Sequence, residues 1–318
     1  MVLLNILGLF LSIMALIASG YFLIKSITKL AGYLKISEFV TGFIILAVGT
    51  SLPELFVGIS SALNKSTSIS LGNVIGANIA DMTLVIGIPI LLSRGFKIKS
   101  DKTKKDALIT VALAVLPLIL MYIGSQLSKI DGIILITVFF LYSYYLLAQK
   151  KEFTKKYKEE KFKRYYLIVY TLVFLVALFF LIESSDFTVK YAKSLSEDLL
   201  VPKILIGLFL IAIGTTLPEL VVGINAVFSG YTEISIGNVL GSVVANSTLI
   251  LGITSLIYPI TANFLFFITS GFYMILVCFI FATFVGSSKK LYWQEGISLV
   301  MLYVFFVIFE LYVKVLAG

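Results

Sequence analysis

The chain has 318 residues, of which 59% are hydrophobic and only 13% charged, with a formal net charge of +8. A soluble domain of this size needs polar side chains on its surface and could not hide so much apolar material, so a water-soluble globular fold is excluded. There is no histidine and only one cysteine, Cys278, which excludes His-metal sites, histidine bases and relays, and any intrachain disulfide.

Taken in order, the chain reads as ten apolar runs, each long enough to cross a hydrocarbon core of roughly 30 Å. They span roughly 3–27, 38–63, 69–93, 106–124, 130–148, 165–185, 203–229, 234–258, 262–286 and 292–316. No Lys or Arg precedes Lys25, so the first run lacks the basic start of a signal peptide and reads as a retained span. The predicted fold is therefore an all-α polytopic membrane protein with ten transmembrane helices. The segment 150–164 carries eight basic residues and three glutamates and reads as a solvated connector. It divides the chain into a five-span unit at 1–149 and another at 165–318.

Ten spans put alternate loops on opposite sides. One side collects 19 of the 25 Lys and Arg, and the other holds Lys65, Lys129, Lys190, Lys193, Lys203 and Lys314. Inside-facing loops are normally the basic ones, which predicts a cytoplasmic 150–164 loop and both termini outside a cell membrane. The same rule accounts for the positive charge without a nucleic-acid partner.

An internal repeat is the most informative feature. Residues 42–81, shifted by 165, fall on 207–246 without a gap, and 19 of the 40 positions are identical. The matches include Gly49/Gly214, Thr50/Thr215, Pro53/Pro218, Glu54/Glu219, Gly72/Gly237, Asn73/Asn238 and Gly76/Gly241. Chance likeness between apolar helices yields Leu, Ile and Val matches, not Thr, Pro, Glu, Asn and Gly in register. Each half has an odd number of spans, so the second starts on the opposite side of the membrane. The expectation is an inverted-topology repeat, whose sites lie near the midplane at the repeat interface.

In the first motif Ala47, Thr50, Ser51 and Glu54 share one helical face. Pro53 removes a backbone donor and clashes with the carbonyl of Gly49, so the helix should break near Gly49–Thr50. Freed carbonyls cannot stay unsatisfied in lipid and must line a polar cavity or bind a cation. Ala212, Thr215, Thr216 and Glu219, behind Pro218, repeat the pattern. In the second motif Asn73, Ala77 and Asp81 form a stripe, repeated as Asn238, Ser242 and Asn246. The Gly72/Gly76 and Gly237/Gly241 pairs read as close helix packing. A carboxylate in a membrane span is by default a functional-site candidate. Glu54, Glu219 and Asp81, with these hydroxyls, amides and carbonyls, form an all-oxygen set suited to a hard cation such as Ca²⁺. When such an ion leaves, Na⁺ or H⁺ must replace its charge, which is the physical basis of exchange.

Other polar residues carry less. Asn78 has Val243 as its repeat partner and reads as packing or capping. Glu183 and Asp186 read as solvated charges at the outer end of the sixth span, with a cation-attracting vestibule as the alternative. Lys25 and Lys190 read as snorkelling lysines. Glu310 has no assigned role.

At Gly49–Glu54 with Gly72–Asp81, and Gly214–Glu219 with Gly237–Asn246, the chain resembles the cation/calcium antiporter superfamily, in its prokaryotic sodium/calcium exchanger branch. The resemblance covers essentially the whole chain. It implies Glu54 and Glu219 as central Ca²⁺ ligands with Thr50 and Thr215. It implies Na⁺ sites built from the Ala47 and Ala212 carbonyls with Ser51, Thr216 and Ser242. Asp81 and Asn246 would flank the centre, with Asn73, Asn238, Pro53 and Pro218 in support. Ala77 stands where the family often has a serine, and the acid/amide pair closing the second motif is set as Asp81 in the first half and Asn246 in the second. Both departures bear on Na⁺ stoichiometry. The glutamate typical of proton/calcium exchangers after Gly-Asn is missing, since Val74, Ile75 and Gly76 follow Asn73.

The expected activity is thus export of Ca²⁺ in exchange for Na⁺, with H⁺ coupling or another divalent ion as the alternative. A cation channel is disfavoured, because channels build filters from symmetric rings. An intramembrane enzyme is disfavoured by the lack of any nucleophile–base pair. Ca²⁺ and Na⁺ are expected as cargo, with no resident cofactor and a monomer as the working unit.

Overall fold

The structure is a computed structural model and describes residues 2–33, 48–98, 102–148, 164–230, 232–287 and 290–317. Ala47 and the predicted connector up to residue 163 lie outside the described residues. The chain runs as α1 (Val2–Tyr33), α2 (Leu52–Leu63), α3 (Thr67–Ala80), a π-helical segment Asp81–Val85, and α4 (Ile86–Leu92). Then follow β1 (Phe96–Lys97), α5 (Lys102–Gly124), α6 (Lys129–Ala148) and α7 (Arg164–Asp198). The second half continues with α8 (Lys203–Ile206), a π-helical segment Gly207–Ile211, α9 (Ala212–Thr215), α10 (Leu217–Phe228), α11 (Thr232–Val244), a π-helical segment Ala245–Ile250, and α12 (Leu251–Ile257). It ends with α13 (Phe264–Ser287), β2 (Lys290–Leu291) and α14 (Trp293–Ala317).

Among the described residues nine helical stretches are long and apolar enough to cross a membrane. The predicted span 38–63 is described only from residue 48, where Leu52–Leu63 forms a shorter apolar helix. The architecture is that of an all-α polytopic membrane protein. Besides its helices the chain forms a short antiparallel ladder pairing Phe96 with Leu291 and Lys97 with Lys290.

The sixth span is longer than the predicted 165–185 and runs to Asp198. Its polar residues do not end it because they bond back into the helix. Ser184 Oγ donates to the Phe180 carbonyl (2.6 Å), Ser185 Oγ to Ile182 (2.7 Å) and Thr188 Oγ1 to Ser184 (2.8 Å). Beyond them Val189, Ala192 and Leu195 continue an apolar stripe packed against Leu9, Ile13, Leu16 and Leu23 of α1. Glu183 and Asp186 are therefore mid-helix residues rather than helix-end charges. Helix α1 likewise continues past the predicted residue 27 to Tyr33.

Two layers result. Most of the Thr67–Leu92 span is buried, whereas most of α1 and α7 is not. The α1–α7 pair thus lies on the outside of a core built from α3, α11, α13 and their neighbours. Contact between α3 and the α8–α9 stretch depends on glycine. A Cβ built at Gly72 would overlap the Ile204 carbonyl oxygen, and one at Gly207 would overlap that of Ile69. Gly76 is as tight against Leu208. A Cβ at Gly237, the counterpart of Gly72, would meet nothing within 4 Å among the described residues.

The 165-residue repeat reappears in the elements. Shifted by 165, α2 falls on α10, and α3, its π segment and α4 fall on α11, its π segment and α12 to within one residue. A π segment interrupts the i→i−4 ladder and is frequent at functional sites. Here a threonine bonds back in each: Thr83 Oγ1 to the Ile79 carbonyl (2.5 Å) and Thr248 Oγ1 to that of Val244 (2.6 Å), positions related by the same shift. A bridge between Leu127 and Ile260 lies at the end of α5 opposite β1. The shift of 165 carries Leu127 to Tyr292 and Ile260 to Gly95, the next register step of the β1–β2 ladder.

Candidate cation site

Two chain breaks, each opening a proline-led helix, and the glycine-rich helices α3 and α11 converge in the core. The first break is the turn at Thr50–Ser51, after which α2 begins with Pro53 and Glu54 in its first turn. The second is at Thr216, after which α10 begins with Pro218 and Glu219. Ser51 (φ −86°, ψ 11°) and Thr216 (φ −84°, ψ −2°) adopt nearly the same conformation. Proline is tolerated in a first helical turn because the amide it lacks has no partner there. The prolines predicted to break the helices therefore also start the next ones, and each start presents a glutamate.

Glu54 and Glu219 are 1% exposed and Asp81 is 0% exposed. Among the described residues none of their six carboxylate oxygens closes a hydrogen bond of good geometry. Thr215 lies beside Glu54 and Thr50 beside Glu219, without a bond of good geometry closing to either carboxylate. Glu219 interacts electrostatically with both Glu54 and Asp81, and Asp81 with Glu54. Burying even one unpaired carboxylate costs several kcal/mol, and like charges held together add to it. A cation among them removes both costs. Among the described residues no three His, Cys, Asp or Glu side chains converge on a single metal-ligating point. The three acids are neighbours rather than a closed triad, so hydroxyl, amide and carbonyl oxygens have to complete any coordination shell.

The other predicted residues divide into two groups. Among the described residues the buried Ser51 Oγ, Ser242 Oγ and Asn246 Oδ1 have no hydrogen-bond partner and could ligate. Thr216 Oγ1 instead donates to the Ala212 carbonyl (2.9 Å), which also accepts the Thr216 amide (3.1 Å) and the Thr215 hydroxyl (3.3 Å). That carbonyl is therefore already satisfied within its own chain segment, contrary to the expectation that the break frees it. Asn73 and Asn238 act across the repeat: Thr215 Oγ1 donates to Asn73 Oδ1 (3.2 Å) and Thr50 Oγ1 to Asn238 Oδ1 (3.5 Å). Asn238 Nδ2 also donates to the Glu219 backbone carbonyl (3.3 Å). Ala77 is fully buried in the core, and a Cβ at its neighbour Gly76 would meet the Ala212 Cβ at 2.7 Å.

Asn78, expected to serve packing or capping, and Ser247, which carries no sequence signal of its own, also belong to this region. Asn78 Nδ2 donates to Ser247 Oγ (2.8 Å), and Asn246 Nδ2 donates to Asn78 Oδ1 (3.1 Å). The available signal was the i, i+3 spacing of Asn78 and Asp81. Comparing Asn78 with Val243 concealed it, because Asn78 pairs with residues one turn further on.

The sodium/calcium exchanger protein family model matches residues 4–148 and 169–312, most of the chain and both copies of the motif. The chain belongs to the sodium/calcium exchanger family. Sodium/calcium exchanger MaX1 of Methanosarcina acetivorans is 29% identical over 98% of this chain and 100% of its own length. Inner membrane protein YrbG of Escherichia coli is 28% identical over 78% of each chain. A solved structure of the sodium-calcium exchanger NCX_Mj, soaked with Na⁺ and Ca²⁺, matches 96% of this chain and 98% of its own, with a TM-score of 0.66 at 23% identity. That likeness is one of fold. As a member of the exchanger family, this chain sits among transport proteins rather than enzymes.

Proposed function

We propose that this exchanger-family protein is a secondary antiporter that exports Ca²⁺ in exchange for Na⁺ by alternating access. The site is the all-oxygen set between the two five-span units 1–149 and 165–318. Glu54 and Glu219 hold the divalent ion, with Thr50 and Thr215 beside them. Ser51, Ser242, Asp81 and Asn246 supply further oxygens to Na⁺. The observation that carries the reading is the set of six buried, unpartnered carboxylate oxygens on Glu54, Glu219 and Asp81. Leaving them bare is costly, so release of one cation is tied to entry of another. No resident cofactor is needed, since the ions are cargo.

Two relationships support an inverted arrangement of the units. The Thr215–Asn73 and Thr50–Asn238 bonds exchange partners under the 165-residue shift, as a two-fold relation requires and a translation does not. The two strand pairings related by the same shift lie at opposite ends of α5, as expected if one unit is turned over relative to the other. Ten spans, a cytoplasmic 150–164 loop, external termini, a cell-membrane location and a monomeric working unit complete the proposal. Sliding of the α1–α7 pair against the core would switch access. Its support is that the two helices pack against each other at the periphery and meet the core through apolar side chains such as Val57, Ile69, Ile206 and Ile211.

Proton-coupled Ca²⁺ exchange is the second reading, favoured by Ala77 at a family serine position and by the extra acid Asp81. Uptake of radiolabelled Ca²⁺ into proteoliposomes under a Na⁺ gradient or a pH gradient separates the two. The expected result is Na⁺-driven uptake abolished by Glu54→Gln. If neither gradient drives Ca²⁺, or Glu54→Gln transports normally, the antiporter reading fails.

A further inference from the structure

We infer that Asn78 is a positioning residue that turns the Asn246 amide so that its oxygen, not its nitrogen, is offered to the transported ions. This inference rests on the reading of the central site as a cation site. Asn78 and Asp81 lie one turn apart on the same face, where α3 meets its π segment, and both are 0% exposed. The Asn78 side-chain nitrogen donates to Ser247 Oγ (2.8 Å) and faces the Met274 sulfur (3.4 Å). A thioether sulfur has no proton to give and can only accept. That asymmetry sets the Asn78 amide: nitrogen toward Met274 and Ser247, oxygen toward Asn246.

The Asn78 oxygen then accepts Asn246 Nδ2 at 3.1 Å. With its nitrogen engaged, Asn246 is left with a buried, unpartnered Oδ1, and Asn78, which holds it, lies one turn from Asp81 and its two unpartnered oxygens. Turned the other way, Asn246 would present N–H donors, which no cation can use, where it now presents an acceptor oxygen. The lock occurs once. Asn246 is the repeat counterpart of Asp81, but the counterpart of Asn78 is Val243, which has no polar atom. The site thus pairs one acid with one neutral oxygen, and Asn78 enforces the neutral partner's orientation.

The test uses the purified full-length protein and reads stabilisation against heat by NaCl and by CaCl₂ separately, together with Na⁺-driven Ca²⁺ flux. Asn78→Val, which copies the other half, should raise the half-maximal Na⁺ concentration about tenfold, the equivalent of one ligand turned away. The half-maximal Ca²⁺ concentration should move less than about twofold, because Glu54 and Glu219 are untouched. In an Asn246→Asp background, where every terminal atom is an oxygen, Asn78→Val should no longer affect Na⁺. If Asn78→Val does not fold, Asn78→Ser, polar but too short to bridge, carries the same readout. An unchanged Na⁺ response, equal loss of Na⁺ and Ca²⁺ responses, or the same Na⁺ loss in the Asn246→Asp background would overturn the positioning role. Absence of any ion response in the unmutated protein would overturn the exchanger reading, and the role of Asn78 with it.

Discussion

The Thr215 hydroxyl donates to the side-chain oxygen of Asn73 at 3.2 Å, joining the break before α10 to the middle of α3. Its counterpart under the 165-residue shift, Thr50 to Asn238, is longer at 3.5 Å. Each half therefore holds the other half's glutamate-bearing break. A double-mutant cycle of Thr215→Val with Asn73→Ala should give a coupling of about 1 kcal/mol in thermal unfolding, the usual worth of a buried neutral hydrogen bond. The Thr50→Val and Asn238→Ala cycle should give less. Zero coupling in both would mean that the halves are held by packing alone.

Neutralising either glutamate should separate transport from stability. Glu54→Gln and Glu219→Gln each remove a buried, unpartnered charge, so ion-free protein should unfold at an equal or higher temperature than wild type. Stabilisation by Ca²⁺ should be lost in both, since a ligand that binds only the folded state stabilises in proportion to its occupancy. A Gln variant that still gains stability from Ca²⁺ at wild-type concentrations would remove that residue from the ligand set.

Glycine contacts should be unequal in cost. Gly72→Ala and Gly207→Ala push a Cβ into the backbone carbonyls of Ile204 and Ile69, which cannot rotate away. A loss of about 1–3 kcal/mol or more is expected from overpacking. A Cβ at Gly124 meets nothing within 4 Å, so Gly124→Ala should be close to neutral. Denaturation in matched detergent would rank the three.

Movement of α7 can be tested where α2 touches it. Ser60 Oγ donates to Asp186 Oδ1 at 3.3 Å, and Asn64 Nδ2 donates to the same oxygen at 2.9 Å. Paired Ser60→Cys and Asp186→Cys substitutions, with Cys278 replaced, would link α2 to α7 across this contact. Oxidation should stop exchange and reduction should restore it. Full exchange with the disulfide formed would rule out sliding of α7 past α2.

Composition alone determined that this chain lives in a membrane, because so many apolar side chains cannot be kept from water otherwise. The repeat alone determined that Glu54 and Glu219 are equivalent positions and that Pro53 and Pro218 break their helices, because those residue types do not fall in register by chance between apolar helices. Tertiary structure decided the partners. Offsets along the chain say which positions are alike but not which ones touch. Thr215 meets Asn73 rather than its own half's Asn238, and Asn78 meets Asn246 and Ser247 rather than Val243. Helix ends too were decided in three dimensions. Hydroxyls that bond back to the carbonyls of the preceding turn let α7 continue to Asp198, and the Ala212 carbonyl, free on paper, is taken by Thr216. The break that opens the site is thus written in residue types, whereas the oxygens left to hold an ion depend on which hydrogen bonds the folded chain has already made.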